Sequence, residues 1–266
     1  MKLVLLIALL SLISFTTHAQ DVVIDDDLIS AWDEEFPAEE TDYWPSEEGS
    51  FQYQEDLWNV IDADLEVQDS VEFLVEYLVD WGVNEGILED GAIYELDTVN
   101  LIQQYPTDPT FNYYFLDLSN NQGDVERFWV GLSDPETGKR TASFPYNIEP
   151  LLLSENGMNF LERSWPISLT WEQFKDNEYD SRRVFFWGLN NVVDRAVAAG
   201  VFENDQYTVS RLYIASIDQT ADGDTYYLFD IYFKPHSTDY WAEAIFTVRE
   251  SANGTLEIEK YVLFPA

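Results

Sequence analysis

The side chains able to carry covalent chemistry are few in this sequence. It has no cysteine, which removes thiol nucleophiles, thiolate metal sites and disulfides. Its two histidines are His18 and His236, and His18 falls in an export leader described below. A histidine-rich metal centre is therefore excluded. His236 stands beside Ser237 and Asp239, but a nucleophilic triad is assembled in space rather than along consecutive positions, and a plain loop histidine is expected. Carboxylates abound, with 51 acids against 13 bases. Paired carboxylates serve glycoside hydrolysis, yet among so many no spacing singles out a pair. Asp218, Asp222 and Asp224 cluster as a hard cation would want, though not at EF-hand spacing, and a solvated turn is expected there. Asn253-Gly254-Thr255 fits the N-glycosylation pattern. No catalytic residue, resident metal or cofactor is assigned, and the chain reads as a binding protein rather than an enzyme.

The net charge of −38 narrows the partners. Between Lys2 and Arg127 there is no Lys or Arg at all. A field of that sign repels nucleic acid and anionic membrane, and both are excluded as partners. It attracts Ca²⁺ or a basic protein surface, or serves solubility and high salt. Residues 1–19 carry Lys2, an apolar run from Leu3 to Ile13 and a small residue at Ala19. That pattern is a secretory signal, cut after Ala19, and it predicts a secreted, extracellular protein. Residues 20–56 form an acidic leader with Pro37 and Pro45 breaking any helix. It is expected to be extended or disordered.

Positions in the remainder recur at an offset that drifts between 113 and 116 residues. Leu78-Val79-Asp80 and Val192-Val193-Asp194 lie 114 apart, as do Gly86 and Gly200. Tyr113 to Leu118 matches Tyr226 to Ile231 at 113, Trp58 and Trp171 share that spacing, and Gly138 and Gly254 lie 116 apart. Each copy opens with a helical stripe, Val71, Leu74, Val75, Leu78 and Val79 in one, Phe186, Leu189, Val193, Ala196 and Val197 in the other. Asp69 with Glu72 reads as a capping box and Gly86 and Gly200 as helix stops. Four runs rich in Tyr, Phe, Ile, Val and Thr follow in each copy: 93–104, 111–119, 125–133 and 139–146, then 207–218, 225–234, 241–250 and 255–264. Asn253-Gly254 predicts a two-residue hairpin. The expected class is α+β: two tandem units, each one helix packed on a four-stranded antiparallel sheet, over residues 57–150 and 151–266.

Between the first two strands of the second unit stand Gln219, Thr220, Ala221, Asp222 and Gly223, followed by Tyr226-Tyr227-Leu228. This resembles the cystatins, whose Gln-x-Val-x-Gly hairpin lies at that point, with Ala221 here in place of Val. The resemblance implies two cystatin-like domains, the second a wedge that occludes the cleft of papain-type cysteine proteases without doing chemistry. The 219–223 hairpin would be the inhibitory one and Asn253-Gly254 would form the second. The sequence departs from the family where Ser251-Ala252-Asn253-Gly254 lacks its Pro-Trp, and Gly157 is the candidate for its N-terminal Gly. In the first unit Gln104 to Pro109 does not match. The alternative is an acidic extracellular matrix or storage protein that binds Ca²⁺ or mineral through its acidic segments.

Overall fold

The computed structural model describes residues 58–61, 65–105, 108–135 and 138–266. The signal and the acidic leader, residues 1–19 and 20–56, lie outside the described residues. The elements in chain order are β1 (Asn59–Val60), α1 (Leu65–Glu85), β2 (Tyr94–Tyr105), β3 (Asp108–Asn120), β4 (Val125–Ser133), β5 (Thr141–Asn147), β6 (Leu152–Leu153), β7 (Ile167–Ser168), α2 (Trp171–Lys175), α3 (Ser181–Ala198), β8 (Tyr207–Gln219), β9 (Thr225–Pro235), β10 (Ala242–Glu250) and β11 (Leu256–Pro265). They build one sheet in the order β1-β2-β3-β4-β5 and a second in the order β6-β11-β10-β9-β8-β7, every pairing antiparallel.

The expected fold class is therefore corrected. The described chain is mostly β, with sheets of five and six strands rather than two units of one helix on a four-stranded sheet. The strands β1, β6 and β7, two residues each, are too short to show a period-2 pattern. They come from segments with no strand signature in the sequence, and α2 adds a further helix. The second reason is burial. In β3, Tyr114, Leu116 and Leu118 pack beneath α1 with Leu74 and Leu78, while Phe115 faces the other way. In β9, Tyr227, Phe229, Ile231 and Phe233 pack beneath α3, while Tyr226 and Leu228 point to the opposite face. The two faces left free by the helices join a single core with Leu101, Trp129, Ile214, Ile245, Val262 and Phe264. Phe115 stacks on Trp129 at 4.9 Å and meets Phe264 of the other sheet edge-on at 5.3 Å. Trp58 N donates to Tyr213 O at 2.7 Å, so the strand edge before α1 is tied to β8.

Both long helices stop where glycine permits it. Gly86 and Gly200 have φ of +73° and +75°, and the amides that follow turn back onto the last turn: Ile87 N to Gly82 O and Val201 N to Ala196 O, both at 2.8 Å. This is the αL stop that glycine adopts without a Cβ penalty. The expected capping box fails, because α1 begins at Leu65 and Asp69 lies inside it. Asp69 O instead accepts from Arg140 Nη1 at 3.1 Å. Trp58 and Trp171 also part company, one in an extended segment and one opening α2.

Candidate functional site

The segment that resembles a cystatin hairpin forms the β8–β9 turn. Thr220 N donates to Asp224 O at 2.9 Å and Gly223 N to Thr220 O at 3.1 Å, with Gly223 at φ +90°. Three residues, Ala221, Asp222 and Gly223, project beyond the closing pair, and all three are exposed, as is Gln219. The β10–β11 turn repeats this plan. Ser251 N donates to Thr255 O at 2.9 Å and Gly254 N to Ser251 O at 2.7 Å. The expected two-residue Asn253-Gly254 turn is thus a three-residue one with only Gly254 at positive φ, +83°. Asn253 Oδ1 accepts from Thr255 N at 3.0 Å, so the Asn stabilises the turn through its side chain.

Because β9 and β10 are neighbours in the sheet, the two turns emerge side by side, and one residue bridges them. Asp224 Oδ2 accepts from Arg249 Nη2 at 2.6 Å and Nε at 2.9 Å. Its Oδ1 accepts from Ala252 N at 3.0 Å, inside the other turn. Hydrogen bonds from Arg249 and then from Ala252 hold the Asp224 carboxyl below its usual range. A Cβ on Gly223 would sit in ordinary contact, 3.4 Å from the Ala252 side chain, but on a backbone that L-residues rarely adopt, so it is the conformation that favours glycine. A shallow hollow of about 230 Å³ lies alongside, lined by Arg249, Ser251, Asn253, Thr255 and Glu257.

The base of this end is braced by further cations. Arg163 pairs with Asp218 at 2.8 Å and covers the Tyr226 ring at 3.3 Å. Arg183 pairs with Glu250 at 2.5 Å. The Tyr227 hydroxyl lies within reach of Tyr179 O at 2.8 Å and Glu250 Oε2 at 3.0 Å. Tyr179 belongs to a turn in which Asn177, Tyr179 and Asp180 all have positive φ, a conformation that costs on the order of 1 kcal/mol or more per residue.

The other sequence candidates scatter. Asp218 and Asp224 are each committed to an arginine, so the acidic trio does not converge as a cation loop. His236 bonds Thr208 Oγ1 at 2.8 Å, whereas Ser237 Oγ accepts from Glu203 N at 3.3 Å. Gly157 follows Asn156, whose side chain donates to Glu259 O at 2.8 Å, so it runs beside β11 but stops short of the tip. Gln104 donates to Pro109 O at 3.3 Å, and residues 106–107 of that turn lie outside the described residues.

Sequence reasoning missed one polar cleft. Asp117 of β3 accepts from Asn100 Nδ2 at 2.9 Å and lies 3.7 Å from Arg127 Nε, a buried atom with no hydrogen-bond acceptor. Burial pushes the Asp117 carboxyl up to about 6, against the pull of Arg127 and Asn100. The space above it measures about 190 Å³, enough for a few waters rather than a sizeable ligand. The one advance signal was that Asp117 and Asp230 are 113 apart inside apolar strands.

No helix among the described residues is long and apolar enough to cross a membrane. No protein-family model matches the chain and no curated protein matches it. Among solved structures, the crystal structure of mouse fetuin-B is similar at 8% identity over 76% of this chain and 69% of that chain, with a TM-score of 0.22, a likeness too slight to carry an argument.

Proposed function

We propose that this chain is a secreted, non-enzymatic binding protein whose paired turns, Gln219 to Asp224 and Ser251 to Thr255, occlude the cleft of a papain-type cysteine protease. The observation that carries the reading is the Asp224 bridge, which makes two turns one rigid tip. A tip fixed before contact loses little ordering entropy on binding. No group at the tip is arranged to act as a nucleophile or base, so the effect is obstruction rather than turnover. The turn Ser251 to Thr255 offers no large aromatic, which leaves backbone shape and the Gln219 side chain as the main contacts.

Titration of the mature protein against active papain tests this. Inhibition at roughly micromolar concentration or tighter, about −8 kcal/mol or better, is expected, and it should vanish in the double variant Gln219→Ala with Gly223→Glu, which should remain folded at assay temperature with a melting temperature lowered by the ~1–3 kcal/mol that a glutamate at positive φ costs. Full papain activity at tens of micromolar parent protein would sink the reading.

A further inference from the structure

Between the sheets, away from the tip, a fully buried Asp230 and a half-buried Glu243 form a carboxyl pair with no role in the reading above. Asp230 of β9 is fully buried. One of its oxygens, Oδ2, accepts from Gln103 Nε2 at 2.5 Å, and Gln103 belongs to β2 of the facing sheet. The other, Oδ1, is sealed from solvent and receives no N–H or hydroxyl donor from the surrounding residues. Its neighbour is the carboxyl of Glu243. In the β9–β10 ladder Asp230 faces Ile245 and Tyr232 faces Glu243, which sets the two acids diagonally on one face, within reach of a long side chain.

Two neighbouring carboxylates, one of them sealed from water, hold a single proton between them in preference to both being ionised. A single proton shared by the two resolves both problems at once, because whichever carboxyl holds it becomes a donor to the other and completes the hydrogen bond that Asp230 Oδ1 lacks. We propose that Asp230, Glu243 and Gln103 form a proton-dependent latch between the two sheets, closed while the acid pair shares one proton and loosened when that proton leaves. Arg211 of β8 lies over Tyr213 at 5.8 Å and faces Tyr232, and the remaining neighbours are the phenols of Tyr113 of β3, Tyr146 of β5 and Tyr213, the last two of which feel both acids. Burial first, and then the facing acid, holds Asp230 well above its ordinary range, and burial lifts Glu243 to about 7.

The sign follows from linkage. A carboxyl raised by folding stabilises the fold below its unfolded value, and that contribution is lost as pH rises through the folded value. The folding constant of the full chain should therefore fall by about tenfold per pH unit between roughly pH 6 and the titration of the pair, above the window in which exposed carboxylates ionise. Denaturant unfolding across this range, in a His236→Gln background that removes the exposed imidazole, measures it. The double variant Asp230→Asn with Glu243→Gln, which leaves no titrating carboxyl in the pair, should abolish the fall, because burial alone keeps Asp230 raised in Glu243→Gln. Infrared difference spectra should show a protonated-carboxyl band near neutral pH that persists in Asp117→Asn and is lost in the double variant Asp230→Asn with Glu243→Gln. A flat parent profile from about pH 6 to about pH 8 would overturn the proposal, as would a slope or band unchanged in the double variant. If that variant does not fold, absence of the band in Asp117→Asn at neutral pH overturns it equally.

Discussion

The two sheets put the same offset to different use. Shifting by 113 residues carries the β2 irregularities, between Leu96 and Thr98 and between Val99 and Leu101, onto those of β8, between Val209 and Arg211 and between Leu212 and Ile214. The helix stops at Gly86 and Gly200 correspond at 114. The residues that fill the frame do not. Where α1 sets Leu74 against its sheet, α3 presents Gly188, and a Cβ there would stand 2.5 Å from the Phe246 ring. One helix is held off by a leucine and the other lies almost in contact. Asp117 opens onto a small polar cleft, while Asp230 is closed in by Gln103 and Glu243. Backbone irregularity and helix termination are thus shared, whereas the distance of each helix and the fate of each buried acid are local to one sheet.

The largest effect should come from exchanging the helix contacts. Gly188→Leu forces α3 away from Phe246 and Val248 and is expected to prevent stable folding, since overpacking by even a methylene or two costs roughly 1–3 kcal/mol. Leu74→Ala removes buried bulk and should cost about 2–5 kcal/mol. Denaturant melts of both decide whether the two helix seats differ as described. A mild Gly188→Leu would mean that α3 has room the close contact denies.

Next come the amide partners of the two acids. Gln103→Leu leaves Asp230 Oδ2 buried without a donor and should cost about 2–3 kcal/mol, whereas Asn100→Leu should cost nearer 1 kcal/mol because water in the cleft can replace the lost bond. Equal losses would erase the distinction between sealed and wet. The pH profile sharpens it further. Asp117, raised by burial to about 6, stabilises the fold below its unfolded value and loses that contribution by about pH 6. Asp117→Asn should therefore flatten the stability profile between about pH 4 and 6 and leave the higher window to the Asp230–Glu243 pair. The smallest expected change in stability is that of Asp224→Asn. Its ion pair with Arg249 is solvent-screened, so the melting temperature should barely move, yet papain affinity should drop severalfold as the turns separate.

Much of the framework was legible. Period-3.6 stripes located α1 and α3, Gly86 and Gly200 marked their ends, and eight of the strands fall where Tyr, Phe, Ile and Val cluster between Gly- and Pro-containing breaks. What misled the reading was an assumption about faces. Tyr113 to Leu118 and Tyr226 to Ile231 are nearly continuous apolar runs rather than alternating ones, the mark of strands covered on both sides, and that pattern pointed away from a sheet with one open face. The edge strands β1, β6 and β7 carry no periodic signal, being defined by pairing with neighbours distant in sequence. Among site residues, the positions of the two turns followed from their glycines. The Asp224–Arg249 bridge did not, because 25 residues and a whole strand separate its partners. The Asp230–Glu243–Gln103 contact spans both sheets and was beyond local pattern altogether.

The central claim is that one end of the second sheet, and no other surface, meets a protease. Hydrogen–deuterium exchange of the mature protein with and without catalytically blocked papain addresses it directly. Slowed exchange confined to residues 219–224 and 251–255 is the predicted result. Protection centred on the exposed strand β5 or on the cleft beside Asp117, or no protection at saturating papain, would contradict it.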